Sequence, residues 1–296
     1  MRVNPNITPD LMNDLWTVQQ QEQTATEQLA TGLRVNEPSD DPADFAADIE
    51  NEAAQSQTDQ YLQNTSSLEG QFQTADSTLS SVVTVLNQAI SVGTEGGNSD
   101  LSASDLQALA QQVQGIQSQV VGLANTSYEG VYIFAGTANT QPFTLDSAQP
   151  SGVQYNGNGE VNTAQIAADR TLQSNLPGSQ IFMGASASVM GSLQQLMTAL
   201  QSGNTANIST ATTQVSDALN YVDQQRVFYG NATDELNSNQ SFLQQEQVSL
   251  QTEQNNLVGV DAAQAATNLS QAETAYNAAL AAIAKVVPEN LLNYLQ

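Results

Sequence analysis

Arg34, Glu37, Asp40, Asp41 and Asp44 crowd into one short stretch, with Pro38 and Pro42 among them, in the segment TGLRVNEPSDDPADFAADIE that starts at Thr31. Side chains of these types could ligate a cation, share a proton as an acid–base pair, or join two helices. A calcium loop of the EF-hand kind needs acids alternating through the loop, a central glycine and a terminal glutamate. EPSDDPAD has no such alternation, and its prolines stiffen the backbone where ligands would have to converge. A working carboxylate pair needs a cleft and shifted pKa values, and no motif sets two acids beside a substrate cleft. The hinge reading accounts for more residues. Gly32 loosens a first helix near its end, Asp41 caps the next, Pro42 takes its first position, and Asp44 sits in its positive first turn. Arg34 is then the natural cation among four acids.

Composition narrows the field further. The 296-residue chain has no histidine and no cysteine. That removes imidazole bases, thiol nucleophiles, disulfides and the commonest zinc ligands, so neither a metal nor a cofactor is expected. With 5 Lys+Arg against 30 Asp+Glu and a net charge of −25, the chain should be repelled by nucleic acid and by anionic membrane surfaces. No apolar run reaches the roughly 20 residues that span a bilayer. MRVNPNITPDLMNDL lacks a cationic start followed by a hydrophobic core, so no cleaved secretory signal is expected, and composition alone reads as cytosolic. Charged residues make up only 12%, against about 25% in a typical domain. Faces built from Gln, Ser, Thr and Asn need little ion pairing and can lie close to copies of themselves.

The elements around the cluster are helices. Thr8 is placed to cap the first, with Pro9 and Asp10 in its opening turn. Leu11, Val18 and Ala25 then recur every seven residues, with Leu15 and Leu29 between them. Beyond the cluster Ala47, Ala54, Tyr61, Leu68, Ala75, Val82 and Ala89 keep that step, and Phe72, Leu79 and Leu86 fill a second seam. GTEGGNSD ends this helix, and Leu106, Leu109, Val113, Ile116, Val120 and Leu123 start another. In the second half Val222, Tyr229, Leu236, Leu243, Leu250 and Leu257 step by seven within one helix expected over 204–256. Gly259 interrupts. A new phase follows in Ala262, Leu269, Tyr276 and Ile283, supported by Ala265, Ala272, Leu280 and Val287, and Pro288 is expected to stop it.

The middle differs. GVYIFAGT (130–137) reads as a strand. Pro142, Pro150, YNGNGE and LPGSQIF follow, with short apolar groups at Val153–Tyr155 and Ile166–Ala168. This is a small β insert, too small for much core of its own, that leans on the helices. The expected fold is mainly α: a long antiparallel helical rod or coiled coil formed by the N- and C-terminal halves, carrying a small β insert. Three parts follow, namely terminal helices in 1–41 and 258–296, a helical rod in 42–140 and 185–257, and a β domain in 141–184. Deleting 146–180 is expected to spare assembly and to shift helix melting little. Met12 and Trp16 are read as helix-face packing residues, and Tyr132 and Phe134 as strand aromatics.

LATGLRVNEPSDDPADFA (29–46) resembles the signature that ends the first terminal helix in the bacterial flagellin family, which includes flagellins and flagellar hook-associated proteins. Gly32, Leu33, Arg34, Asn36, Asp40 and Asp41 fall on the shared pattern, and PSDDPA is more similar to the junction branch of the hook-associated members than to flagellin proper. EGVYIFAGTANTQPF, VDAAQAATNLSQAETAYNAALAAIAKV and PENLLNYLQ are similar to that branch in its central strand, C-terminal helix and leucine-rich tail. RVFYGN resembles the preceding family helix, with Asn231 where alanine is usual; the likeness is weak across 146–182.

The resemblance implies a structural, non-enzymatic protein of the flagellum that joins hook to filament. It implies export without a cleaved signal peptide through the flagellar export apparatus, which replaces the cytosolic reading. Implied partners are further copies in a ring, hook-associated protein 1, flagellin, and an export chaperone on the C-terminal helix, with no nucleic acid and no membrane. The implied assembly residues are Leu11, Leu15, Val18, Leu29, Leu33, Arg34, Leu269, Tyr276, Leu280, Ile283, Leu291 and Leu292. The implied elbow is Gly32, Asn36, Asp40, Asp41 and Pro42. Flagellin itself and an unrelated secreted coiled-coil adhesin are the alternatives.

Overall fold

The computed structural model describes residues 7–185 and 187–294, and side chains within 9–285. The chain divides into two compact units, Met1–Gln57 with Gln245–Gln296, and Thr58–Gln244.

In the first unit α1 (Ile7–Thr31) pairs with α7 (Ala262–Tyr294). Thr8 lies within α1, and its side chain, expected to cap the helix, is outside the described residues. Gly32 ends it at φ 76, its N–H donating to the Gln28 carbonyl at 2.9 Å. That left-handed conformation costs glycine nothing and closes the helix. Asp261 opens α7, its Oδ1 accepting from Ala263 N at 2.9 Å and Gln264 N at 3.1 Å. Pro288 does not stop α7, which runs on to Tyr294. Proline removes one hydrogen bond and strains one turn, and a long helix can carry that defect as a kink. The first turns of α2 (Pro42–Gly96) and the last of α6 (Thr205–Val258) complete this unit, with Asn51 Nδ2 donating to the Leu250 carbonyl at 3.1 Å.

The second unit holds the main core. α2 and α6 run antiparallel here: Thr65 meets Asn239, Phe72 meets Tyr229, and Asp76 meets Arg226. The heptad residues Leu68, Phe72, Leu79, Val82 and Leu86 of α2 are buried against Val215, Val222, Tyr229 and Leu236 of α6 and against two shorter helices. Those are α3 (Ala103–Ala124), opened by a reciprocal Ser102–Asp105 capping box, and α5 (Val189–Ser202), capped by Ser188 and ended by Gly203 at φ 67. The long helices expected from the heptads are therefore present, and the chain is mainly α.

Three antiparallel strand pairs lie between α3 and α5: β1 (Ser127–Tyr128) with β2 (Val131–Tyr132), β3 (Phe143–Leu145) with β4 (Val153–Tyr155), and β5 (Thr163–Ala167) with β6 (Arg170–Gln173). α4 (Gly178–Phe182) follows. The expected strand over 130–137 shrinks to Val131–Tyr132. Ile133, Phe134 and Ala135 are buried without a ladder, because Thr126, Gly178 and Asn158 take up their backbone groups one by one. The insert does lean on the helices, more heavily than expected. Phe143, Val153, Ile166 and Leu176 belong to the same apolar cluster as α2, α3, α5 and α6. Asn239 on α6, 1% exposed, donates to the Ile166 carbonyl at 2.8 Å, and Asn64 on α2 donates to the Gln165 carbonyl at 2.8 Å. Removing 146–180 would strip Val153, Ile166 and Leu176 from the core, which argues against a dispensable insert.

Candidate functional site: the helix elbow and the paired terminal helices

The acidic stretch folds into a connection in which each carboxylate other than Glu37 has a backbone or cationic partner. Asp41 caps α2, its Oδ1 accepting from Ala43 N and Asp44 N at 3.2 Å each, with Pro42 as the first helical residue. Proline has no N–H to leave unpaired there. The Asp44 N–H, then the Arg34 guanidinium, hold the Asp41 carboxyl below the usual carboxylate range. Asp40 closes the preceding turn, its Oδ2 accepting from Asn36 N at 2.9 Å and Glu37 N at 3.0 Å. Those two N–H groups, Asn36 first, hold the Asp40 carboxyl low as well. Glu37 accepts a bond from the Ser39 hydroxyl at 3.3 Å. Among the described residues no group of acids converges as a metal site would require.

Arg34 does not serve all four acids. Its guanidinium pairs with Asp44 and, at 3.4 Å, with Asp41, while Nη2 also donates to the Leu257 carbonyl at 2.7 Å. Asp44 is the chief reason the Arg34 pKa is raised. Leu257 lies in the last turn of α6, where carbonyls lack helical partners and the helix dipole is negative. Arg34 therefore ties the start of α2 to the end of α6. The backbone repeats the link: Arg34 N donates to the Val258 carbonyl at 2.6 Å, Val260 N donates to the Gly32 carbonyl at 3.1 Å, and Leu33 bridges Gly259. Val35 and Val258 are buried beneath it at 3% and 2% exposure. Because α1 ends and α7 begins at this clamp, the two helices leave it antiparallel, and the clamp sets where each starts.

The elbow residues Gly32, Asn36, Asp40, Asp41 and Pro42 are thus gathered in one connection with Arg34. Sequence reasoning missed Leu257, Val258 and Val260, whose contribution is mainly backbone, and Asp261, whose position before an alanine-rich helix is a legible cap signal.

The helix pair is thinly covered. Between them α1 and α7 bury only Ala25, Ala265 and Ala272 among the described side chains. Leu11, Leu15, Val18, Leu29, Leu269, Tyr276 and Ile283 are half-buried, whereas Leu33 and Leu280 are exposed. The side chains of Leu291 and Leu292 lie outside the described residues. Trp16 is 68% exposed and Met12 48%, so the packing role expected of them is not made within this chain. A groove between the helices is lined by Thr17, Gln21, Thr24, Gln28, Asn268 and Gln271. These are amide and hydroxyl groups with nothing titratable among them. No described helix is long and apolar enough to cross a membrane. The arrangement suits packing against other helices.

Comparison with known proteins places these features. Residues 6–139 match the family model for the bacterial flagellin N-terminal helical region, and 212–295 match that for the bacterial flagellin C-terminal helical region. Flagellar hook-associated protein 3 of Salmonella typhimurium is 34% identical over 165 residues, covering 55% of this chain and 51% of that protein. This chain thus matches about half the length of that curated relative. Among solved structures, a flagellar hook-associated protein of Vibrio parahaemolyticus superposes with a TM-score of 0.68 at 18% identity, over 74% of this chain and 100% of that one. The flagellar junction protein FlgL of Legionella pneumophila superposes with a TM-score of 0.59 at 14% identity, over 72% and 100%. The elbow and both paired helices fall inside the matched regions.

Proposed function

Because this chain belongs to the bacterial flagellin family, we propose that it is a structural protein of the bacterial flagellum that joins the hook to the filament. It performs no reaction. Copies assemble into a ring through α1 and α7, between hook-associated protein 1 on one side and flagellin on the other. The chain reaches that place through the flagellar export apparatus without a cleaved signal peptide, with an export chaperone on the C-terminal helix beforehand.

The observation that carries this reading is the unfinished packing of the helix pair. α1 and α7 keep seven-residue apolar steps, yet within one chain Leu11, Val18, Leu269, Tyr276 and Ile283 of those steps stay half-buried and Trp16 stays in solvent. An amphipathic stripe is stable when something covers it, and further copies of the same helices, poor in charge, are the covering that fits. Leu11, Leu15, Val18, Leu29, Leu33, Leu269, Tyr276, Leu280, Ile283, Leu291 and Leu292 form that interface, and Arg34 with the elbow aims the helices into it. The hook-associated and junction names borne by the relatives favour the junction over the filament.

Electron microscopy of a strain lacking this chain tests the proposal. Hooks without filaments, with flagellin spilled into the medium, are the expected result. Bare hooks with no flagellin anywhere would make the chain the filament subunit, and normal filaments would overturn the flagellar role.

A further inference from the structure

The chain contains two Asn–Gly steps, Asn156–Gly157 and Asn158–Gly159, side by side in YNGNGE. An asparagine followed by glycine is open to an intramolecular reaction. The backbone nitrogen of the glycine attacks the asparagine side-chain carbonyl carbon, a C–N bond forms, the side-chain nitrogen leaves as ammonia, and a five-membered succinimide results. Water then opens the ring at either carbonyl to give aspartate or isoaspartate. Nothing is oxidised or reduced, and water is the only co-reactant. Glycine favours the step because no Cβ obstructs the approach and the backbone is permissive.

The structure separates the two sites. The Asn158 side chain is held from both ends: Oδ1 accepts from Thr137 N at 2.9 Å and Glu160 N at 3.3 Å, and Nδ2 donates to Thr137 Oγ1 at 2.7 Å. Gly136 lies so close that a Cβ there would come within 2.2 Å of Asn158 Oδ1. The asparagine amide cannot turn toward Gly159 without breaking that set. Asn156 is exposed, and its side chain makes one bond, from Nδ2 to Thr144 Oγ1 at 3.1 Å. The neighbouring Gly157 cannot be exchanged for a safer residue, since a Cβ there would meet Tyr155 Oη at 2.5 Å and the Ala135 carbonyl at 2.6 Å. The turn requires the glycine, and the glycine makes Asn156 reactive.

We infer that Asn156 is a site of spontaneous deamidation in the folded protein, while Asn158 is protected by its hydrogen bonds. The product loses the donor to Thr144 and adds a negative charge to a loop that already holds Glu160.

The test is incubation of the full chain at neutral to mildly alkaline pH in heavy-oxygen water, followed by cleavage at acidic residues, mass spectrometry and enzymatic isoaspartate detection. The expected result is label and isoaspartate at 156, forming roughly tenfold or more faster than at 158, as restricted approach geometry implies. In denaturant the two sites should convert at similar rates, and Thr137→Ala should speed conversion at 158 in the folded chain. Asn156→Ser should remove the modification without changing the melting curve. Equal rates at both sites in the folded protein would overturn the inference, as would conversion at 156 only after unfolding.

Discussion

Ile166→Ala measures whether the β insert is part of the core or an appendage to it. Ile166 is 0% exposed in the apolar cluster of the second unit. Its strand is held on both sides, by Asn64 of α2 on the Gln165 carbonyl and by Asn239 of α6 on the Ile166 carbonyl itself, each at 2.8 Å. Those bonds use backbone acceptors and survive the substitution, so the strand cannot readily collapse into the space left behind. A truncation of this kind costs about 2–5 kcal/mol, and the upper half of the range applies where relaxation is blocked. For a unit of this size each kcal/mol is worth about 2–4 °C, so the melting temperature should fall by on the order of 10 °C. Far-ultraviolet circular dichroism follows helix loss directly, although the substitution lies in a strand. Leu145→Ala, in the same insert but 57% exposed, is the control and should melt like the parent. Should the two variants melt alike, the insert is energetically separate from the helices and the core assignment is wrong.

The elbow and the helix pair give three further expectations. Arg34→Glu removes the tie between Asp44, Asp41 and the Leu257 carbonyl and adds a fifth acid. The middle of the protein should fold and be exported but fail to seat at the hook, with partial rescue by salt in vitro because exposed charges are screened beyond about 10 Å at 0.1 M; normal assembly at low salt would refute this. The Asp40 carboxyl is held low by the Asn36 and Glu37 N–H groups, so its contribution is complete above the unfolded value of about 3.9 and is lost as pH falls through the lower folded value. Amide chemical shifts of Asn36 and Glu37 should titrate in that acid window and become flat in Asp40→Asn. Hydrogen exchange on the free monomer should find amides of 11–29 weakly protected beside those of 79–86, because α1 buries little and isolated helices gain little from propensity.

Much of this was legible in the sequence because the controlling interactions are local or periodic. Asp41 and Pro42 were readable as a cap since the acceptor and its N–H donors lie within three residues. The burial of Phe72, Leu79, Val222 and Tyr229 was readable since heptad spacing fixes one helix face. Arg34's partner at Leu257 was not, because that acceptor is a backbone carbonyl 223 residues away with no side-chain signature. The strand at 130–137 was over-read. β-branched and aromatic residues mark burial as well as pairing, and Ile133 to Ala135 are buried without a neighbouring strand. Pro288 was over-read in the opposite sense, as a local break that the longer helix absorbs. The insert's attachment was hidden because its apolar groups are only two or three residues long, and the amides that fasten β5, Asn64 of α2 and Asn239 of α6, lie far away in sequence.

The two units solve the same problem with different means, and the contrast bears on function. In Thr58–Gln244 each long helix has more than one neighbour, so α3, α5 and the hairpins cover the stripes that α2 and α6 leave, and the seam residues reach zero exposure. In the first unit α1 has α7 as its main neighbour, and a single partner covers only a narrow part of a helix surface. The sequence does not compensate with charge. Thr17, Gln21, Thr24, Gln28, Asn268 and Gln271 line the groove, and amides and hydroxyls tolerate water yet carry little desolvation cost per group when bonded across to another helix. A chain selected only for monomer stability would fill that seam with leucine. Alanine and glutamine there, with Trp16 and Leu280 left outward, fit the proposed packing against helices from other copies, and the clamp at Arg34 sets where α1 ends and α7 begins.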